Sequence, residues 1–342
     1  MGILENARKN WFLYGIVLFI AFAKIAPWIG KKGGPLYPQI TIKYIAVSVI
    51  FFNSGLSLRS EDLKAAFFHY RLHLFIQMFT FAFIPAIISL FVKLLALVEF
   101  NEYLIRGVQV VSCMPPPVSS AVIITKAIGG NEAGAIFNSA LGSFLGIFIT
   151  PLLLLANVGV SGGVPVINIV QTLTVTVVIP LMLGQLARIY IKDWLEREKP
   201  PLGQVGSFML LMIIYTTFCD TFSSDVTGVK PTDLLIAAVI IFGMQAGLLY
   251  LIFSVTNRFQ LGYNKEDIVA LMFCSTHKSL TLGVPILKII YAGDMILPFI
   301  SIPLLIYHPT QILLGGFMVP LIKSWLHESK EHKNGVVDDE IA

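Results

Sequence analysis

The chain of 342 residues is 56% hydrophobic and only 13% charged, with a mean hydropathy of +0.80. A water-soluble domain carries about 25% charged residues, so the composition excludes one and makes lipid the main solvent. The formal net charge of +4 comes from basic residues between apolar runs, a pattern that points to membrane loops and away from nucleic acid.

A hydrocarbon core about 30 Å thick takes roughly 20 apolar residues per helix. In chain order the sequence predicts spans over 11–30, 38–57, 71–97, 104–127, 131–157, 165–190, 203–222, 232–255, 267–292 and 296–322. The first follows Arg8 and Lys9. It is too long for a signal-peptide core and reads as an uncleaved anchor. With residues 1–10 inside, fifteen lysines and arginines fall on the cytoplasmic side and four on the other. That asymmetry predicts two cytoplasmic termini. No Asn-x-Ser/Thr sequon occurs, in keeping with short loops on the far side.

The linker Val158–Val164 divides the spans into two sets of five, 11–157 and 165–322. An odd number of spans per set gives the halves opposite topology, the arrangement of inverted repeats. The predicted fold class is therefore an all-α multi-pass membrane protein. The polar stretch 323–342 (cytoplasmic on this topology) reads as a disordered tail. Cys113, Cys219 and Cys274 lie in apolar segments and read as packing thiols.

The fourth span of each half is interrupted. The first interruption holds Pro115, Pro116, Pro117, Ser119 and Ser120. Proline removes a helix donor and clashes with the preceding turn. The helix should stop near Met114 with carbonyls left open, and Ser119 and Ser120 should cap the half-helix that follows. The second interruption is Ser275, Thr276, His277, Lys278 and Ser279. A lysine at membrane depth costs several kcal/mol and persists only facing protein or water. Lys278 is thus expected to line a functional cavity, with a structural ion pair as the bland alternative. His277 is either a satisfied core residue or a ligand.

Matching interruptions in two halves point to the binding site of a secondary transporter. Span five adds Asn138, Ser139 and Ser143. These are oxygen ligands for a cation or, on a face with Gly134, Gly142 and Gly146, aids to close packing. Gln77 in span three and Asp220 at the end of span seven are further pathway candidates.

These residues carry a resemblance over nearly the whole chain. CMPPPVSSAVIITKAIGGNEAGAIFNSALGSFLGIFITP and FCSTHKSLTLGVPILKIIY resemble the two crossover regions of the bile acid:sodium symporter superfamily. The resemblance implies two inverted five-helix repeats with crossing discontinuous helices 4 and 9. It also implies a panel domain of spans 1, 2, 6 and 7 and a core domain of the rest. In sodium-coupled relatives the first crossover reads with glycines and a Ser-Asn pair; here those positions look like Pro116, Pro117, Ser120 and Ala121. The next helix's ligands look like Ser139 and Ser143, so a Na⁺ at Ser120, Ser139 and Ser143 is one implied possibility. The acidic residue and glutamine of the second crossover look like Cys274 and Lys278. Losing a carboxylate and gaining an ammonium changes the local charge by about +2, and like-charge repulsion opposes Na⁺ beside Lys278.

The resemblance further implies a small-molecule solute, with Na⁺ or H⁺ as coupling ion, in the plasma membrane and secretory pathway (endoplasmic reticulum, Golgi). It carries an association with cellular calcium regulation and, in animals, with glycosaminoglycan synthesis and bone mineralisation. No cofactor is implied. The leading expectation is a carrier of a small organic anion; the alternative is a non-transporting regulator acting on calcium-entry proteins. An intramembrane enzyme is disfavoured, since no paired protease aspartates and no His-Glu-x-x-His occur.

Overall fold

The structure is a computed structural model that describes residues 11–57, 69–97, 100–117, 120–159, 167, 171–172, 174–223, 229–258, 262–291 and 294–339. Residues 1–10 and Ser119 lie outside them. The described regular structure is entirely helical. Seven helices are long and apolar enough to cross a membrane. They are α2 (Pro38–Ser57), α3 (Tyr70–Leu95), α5 (Glu132–Asn157), α6 (Thr174–Glu198), α7 (Leu202–Phe222), α8 (Pro231–Arg258) and α10 (Leu297–Asp339). The shorter α1 (Trp11–Ile25) precedes a break at Ala26 and a single turn, Pro27–Gly30. Spans four and nine are each two half-helices: α4a (Glu102–Ser112) with α4b (Ser120–Ile128), and α9a (Lys265–Thr276) with α9b (Leu280–Ile290). These make the ten spans of a multi-pass α-helical membrane protein.

Two boundaries differ from the sequence expectation. Helix α6 runs to Glu198 rather than 190, through a kink at Ile191. The polar tail expected to be disordered continues α10 as far as Asp339. Glu, Lys and Ser-Lys-Glu stretches contain good helix formers, and a helix already nucleated in the membrane extends without a second nucleation cost.

Two packing groups follow from the contacts. In one, α1 lies along α7, and α2 lies along α6. Gly55 and Gly184 face each other there, and a Cβ on either would meet the other helix's backbone. Small residues permit that approach in lipid, where apolar burial drives no association. Gln185 and Arg188 of α6 donate to the carbonyls of Gly55 and Leu56 at the end of α2, as cations and donors do at helix C-termini.

In the other group α3 packs on α4a and α8 on α9a, while α4b meets α5 and α9b meets α10. Exchanging the first five spans for the second maps each pairing onto its counterpart, α1–α7 becoming α6–α2. This is the packing of inverted repeats, with spans 1, 2, 6 and 7 as panel and the remaining six as core.

Candidate functional site

The two breaks meet at the centre of the core. Their geometry follows from what three consecutive prolines do to hydrogen bonding. The carbonyls of Ser112 and Cys113 have prolines at both the i+3 and i+4 positions and that of Met114 has one at i+3, so proline takes helix donors from all three. Other elements supply the donors. Lys278 Nζ donates to Met114 O at 2.9 Å and Ser112 O at 3.1 Å. Thr150 Oγ1 donates to Cys113 O at 2.9 Å, Ser143 Oγ to Pro116 O at 3.1 Å, and the Ser279 N–H to Pro115 O at 2.8 Å. All five carbonyls from 112 to 116 are thereby met within the chain.

Lys278 takes a third carbonyl, Thr80 O, at 3.4 Å. Thr80 lies in the π-helical segment Phe79–Phe83 of α3. In that i→i+5 register its carbonyl would accept from residue 85, which is Pro85. The ammonium thus collects three acceptors that prolines have released.

No proline makes the second break. Side chains hold it open. Gln311 of α10 accepts from the Lys278 N–H at 2.8 Å and donates to the Lys278 carbonyl at 3.1 Å. Tyr307 OH donates to Thr276 O at 2.6 Å, and Thr80 Oγ1 lies 3.4 Å from Ser275 O. Ser279 caps α9b by accepting from the Leu282 N–H. A Cβ at Gly142 or Gly146 would run into Pro116 or Pro115, so these two glycines let α5 press against the first break.

Several sequence expectations change here. Lys278 is 1% exposed and does not line the cavity described below; neither is it in an ion pair, because its partners are backbone carbonyls. An ammonium buried among open carbonyls gains more from them than from facing a cavity wall. Ser120 is the first described residue of α4b. Its hydroxyl lies 3.1 Å from His277 Nδ1, so it spans the crossing. His277 is fully buried, with Nε2 unpartnered. Ser139 and Ser143 do not converge on one point: Ser139 Oγ faces Cys274 Sγ at 3.8 Å while Ser143 serves Pro116. Asn138 and Gln77 bond each other, Gln77 Nε2 donating to Asn138 Oδ1 at 3.3 Å. Asp220 stands apart, at the end of α7. Its carboxylate accepts from the Lys32 N–H and lies 3.5 Å from Lys288 Nζ of α9b.

The carbonyls of Ser112, Met114 and Thr80 are held by the ammonium, those of Cys113, Pro115 and Pro116 by other donors, and the Ser143 and Ser120 hydroxyls lie against Pro116 O and His277 Nδ1.

A cavity of about 500 Å³ opens between panel and core. Its polar lining is Asn53, Ser54, Ser57, Ser143, Gln204, Ser207, Ser279 and Thr281, beside Trp11 and Phe144, with no charged side chain among the described residues. It lies at the end of the bundle where α1 and α7 begin and α2 ends. At the opposite end, where α7 and α9b finish, the Asp220–Lys288 pair ties panel to core.

The sequence pointed to Lys278 and the proline break, marked Tyr307 only as part of a structural kink with His308 and Pro309, and missed Gln311 and Thr150. An intramembrane glutamine three residues after His308 was the available signal for Gln311.

The model of the SBF-like CPA transporter family matches residues 10–324. This chain belongs to that family. It is 59% identical to sodium/bile acid cotransporter 7 of Xenopus tropicalis over 326 residues, covering 95% of each chain. The mouse (Mus musculus) protein of that name is 59% identical over 95% of this chain and 96% of its own. The zebrafish (Danio rerio) one is 56% identical over 95% and 97%. These relatives are named as cotransporters, not as enzymes, and this chain is a membrane protein of the transporter class.

Proposed function

We propose that the protein is a secondary carrier of a small organic anion that alternates access by moving panel against core, without ordinary sodium coupling. One observation carries this reading: a buried ammonium, Lys278, holds the carbonyls of the broken helix and has no carboxylate partner among the described residues. Its charge is therefore uncompensated. Ser279, the next residue, lines the cavity at the N-terminus of α9b, where the helix dipole adds partial positive charge. Two unit charges about 8 Å apart at an effective dielectric of about 20 attract by roughly 2 kcal/mol. An anion gains that; a cation loses it.

The loop charges put both termini in the cytosol, so the open cavity faces the cytosol. Residence in the plasma membrane, endoplasmic reticulum or Golgi follows the resemblance, as do roles in calcium homeostasis and, in animals, in glycosaminoglycan synthesis and bone mineralisation. A second reading has its own support. Every carbonyl from residue 112 to 116 is satisfied within the chain, so no ion is needed to hold these groups. That suits a non-transporting regulator of calcium-entry proteins that keeps the carrier fold.

A screen of radiolabelled organic anions in proteoliposomes, with sodium or choline as the external cation, separates the two. The carrier reading expects uptake of at least one anion at equal rates in both salts. Uptake that requires sodium overturns the coupling statement; no uptake by monodisperse protein across the screen favours the regulator. Epitope tags at both termini should stain only after permeabilisation, and staining of intact cells overturns the orientation.

A further inference from the structure

We propose that Lys278 is a proton-binding site, reached from the end of the molecule opposite the cavity through a polar file of Asn157, Ser89, Gln109 and Ser112, and that H⁺ is the ion coupled to the solute. The coupling half of this rests on the carrier reading above; the proton site does not.

The file is continuous in the structure. Asn157 is exposed at the end of α5, and Ser89 Oγ of α3 lies 3.0 Å from its Oδ1. Gln109 Nε2 of α4a donates to Ser89 Oγ at 2.8 Å and to Ser112 Oγ at 3.3 Å. The carbonyl of Ser112 accepts from Lys278 Nζ at 3.1 Å. Four polar side chains in a row from three helices are costly in an apolar bundle, and intramembrane polar chains of this kind mark ion and proton pathways. One atom in the file points to something further: Gln109 Oε1 is buried and unpartnered, on a residue 4% exposed. A buried acceptor in that position is met by ordered water in native proteins. A water at that atom would hydrate the file between Ser89 and Ser112.

Alternation along the spans puts Asn157 at the end where Asp220 meets Lys288, and the cavity at the other. Lys278 stands between them. Its proton comes from one side, and Ser279 beside it faces the solute cavity on the other. A coupling group needs that position.

The surroundings leave the charge of Lys278 unpinned. From α4a it is faced by the Cys113 thiol, from its own break by His277, and from α10 by His308 through Gln311, whose Nε2 is 3.4 Å from His308 Nδ1. Helix α3 offers Thr80 and helix α5 offers Thr150 and serines, none titratable near neutrality. No carboxylate lies within ion-pair distance of Nζ among the described residues, in contrast to Lys288.

On unloading, an N–H bond of the ammonium breaks and its electron pair stays on Nζ. The proton, having entered beside Asn157 by way of a water at Gln109 Oε1, leaves as a solvated proton on the side of the solute cavity that Ser279 lines. The neutral amine keeps two N–H groups for the carbonyls of Ser112 and Met114, so the crossing survives both states. Protonation makes the cavity favour an anion, so proton and anion travel in the same direction.

The test uses the proton itself as probe. Full-length protein in proteoliposomes is adsorbed on a solid-supported membrane and given pH jumps across neutrality, with no solute present. Wild type should give a transient charge displacement. Lys278→Met, which keeps His277 and His308, should lose it while staying monodisperse. Gln109→Leu should keep its amplitude but slow it by about tenfold, a barrier rise of about 1.4 kcal/mol.

A wild-type-sized transient in monodisperse Lys278→Met, or none in wild type, overturns the proton site. A wild-type rate in Gln109→Leu overturns the route. If wild type gives the transient but takes up no solute, the carrier reading falls and the proton site stands. If it takes up solute without a transient, the reverse holds.

Discussion

The two broken helices reach similar shapes by different means. In the first, prolines 115–117 remove donors covalently, and the carbonyls of residues 112–114 wait for partners whatever surrounds them. In the second, no proline intervenes among residues 275–279, and the chain is kept from closing into a helix by Gln311, Tyr307 and Thr80. One break is built into the backbone; the other is imposed by neighbours. They depend on each other unequally, because Lys278 and Ser279 of the second serve the first. Disturbing the second break should disable both, whereas trimming one donor to the first should leave a tolerable gap.

The largest effect belongs to Lys278. Lys278→Met should abolish solute uptake, and with it rescue of a calcium or glycosaminoglycan phenotype, in protein of normal abundance. The carbonyls it strands cost about 1–3 kcal/mol each, partly offset because an ammonium no longer has to be buried. Lys278→Arg should fail nearly as badly, since a planar fork does not fit a site built round a compact point charge. Full rescue by Lys278→Met at normal abundance would show the second break to be scaffold alone.

Gln311→Leu comes next. It removes both bonds to the Lys278 backbone and frees residues 277–279 to wind towards helix. Two buried bonds left unmade cost roughly 2–4 kcal/mol, so thermal stability should drop clearly and uptake should fall by tenfold or more. Thr150→Val and Ser143→Ala should be milder, each stranding one carbonyl of the first break at about 1–3 kcal/mol. Ser143→Ala should also leave thermal stability insensitive to replacing choline by sodium. A saturable sodium stabilisation in wild type, lost in Ser143→Ala, would restore a sodium site and reverse the argument from the ammonium.

This asymmetry also explains what the sequence could reveal. Proline acts on its own chain within four residues, so the run at 115–117 predicts open carbonyls directly. A run of five polar residues at 275–279 likewise predicts a break. Where the freed groups go is set by residues far along the chain: Thr80, Thr150 and Gln311 lie between 33 and 198 positions from the groups they meet. Periodicity does not register such partners. The cavity expectation for Lys278 failed for this reason, since the acceptors that bury it belong to the other half of the molecule. The panel and core were legible through the resemblance and the odd span count. The glycine contact between α2 and α6 was not, because a small residue in an apolar run gives no sign of which helix approaches it.

The smallest expected effect concerns the two ends of the panel–core boundary. At one end the cavity keeps panel and core apart; at the other, Asp220 of the panel meets Lys288 of the core at 3.5 Å. The Asp220 side chain is 37% exposed and that of Lys288 12%, so water screens the pair and its worth is about 0.5–1 kcal/mol. That is roughly a two- to fivefold bias towards the cavity-open state. Asp220→Asn removes the charge but keeps an oxygen for the Lys32 N–H, so local structure should persist. A cysteine placed at Ser57, in the cavity mouth, reports the open state through its rate of maleimide labelling. Labelling should slow two- to fivefold in Asp220→Asn, and the exchange Asp220→Lys with Lys288→Asp should restore most of the rate. If Asp220→Asn leaves the rate unchanged, the pair is ornamental to the closed end and the apolar packing of α7 on α9b holds it alone. If the single change slows labelling but the exchange does not recover it, the Lys32 N–H, which loses its acceptor only in the exchange, is needed as well as the pair with Lys288.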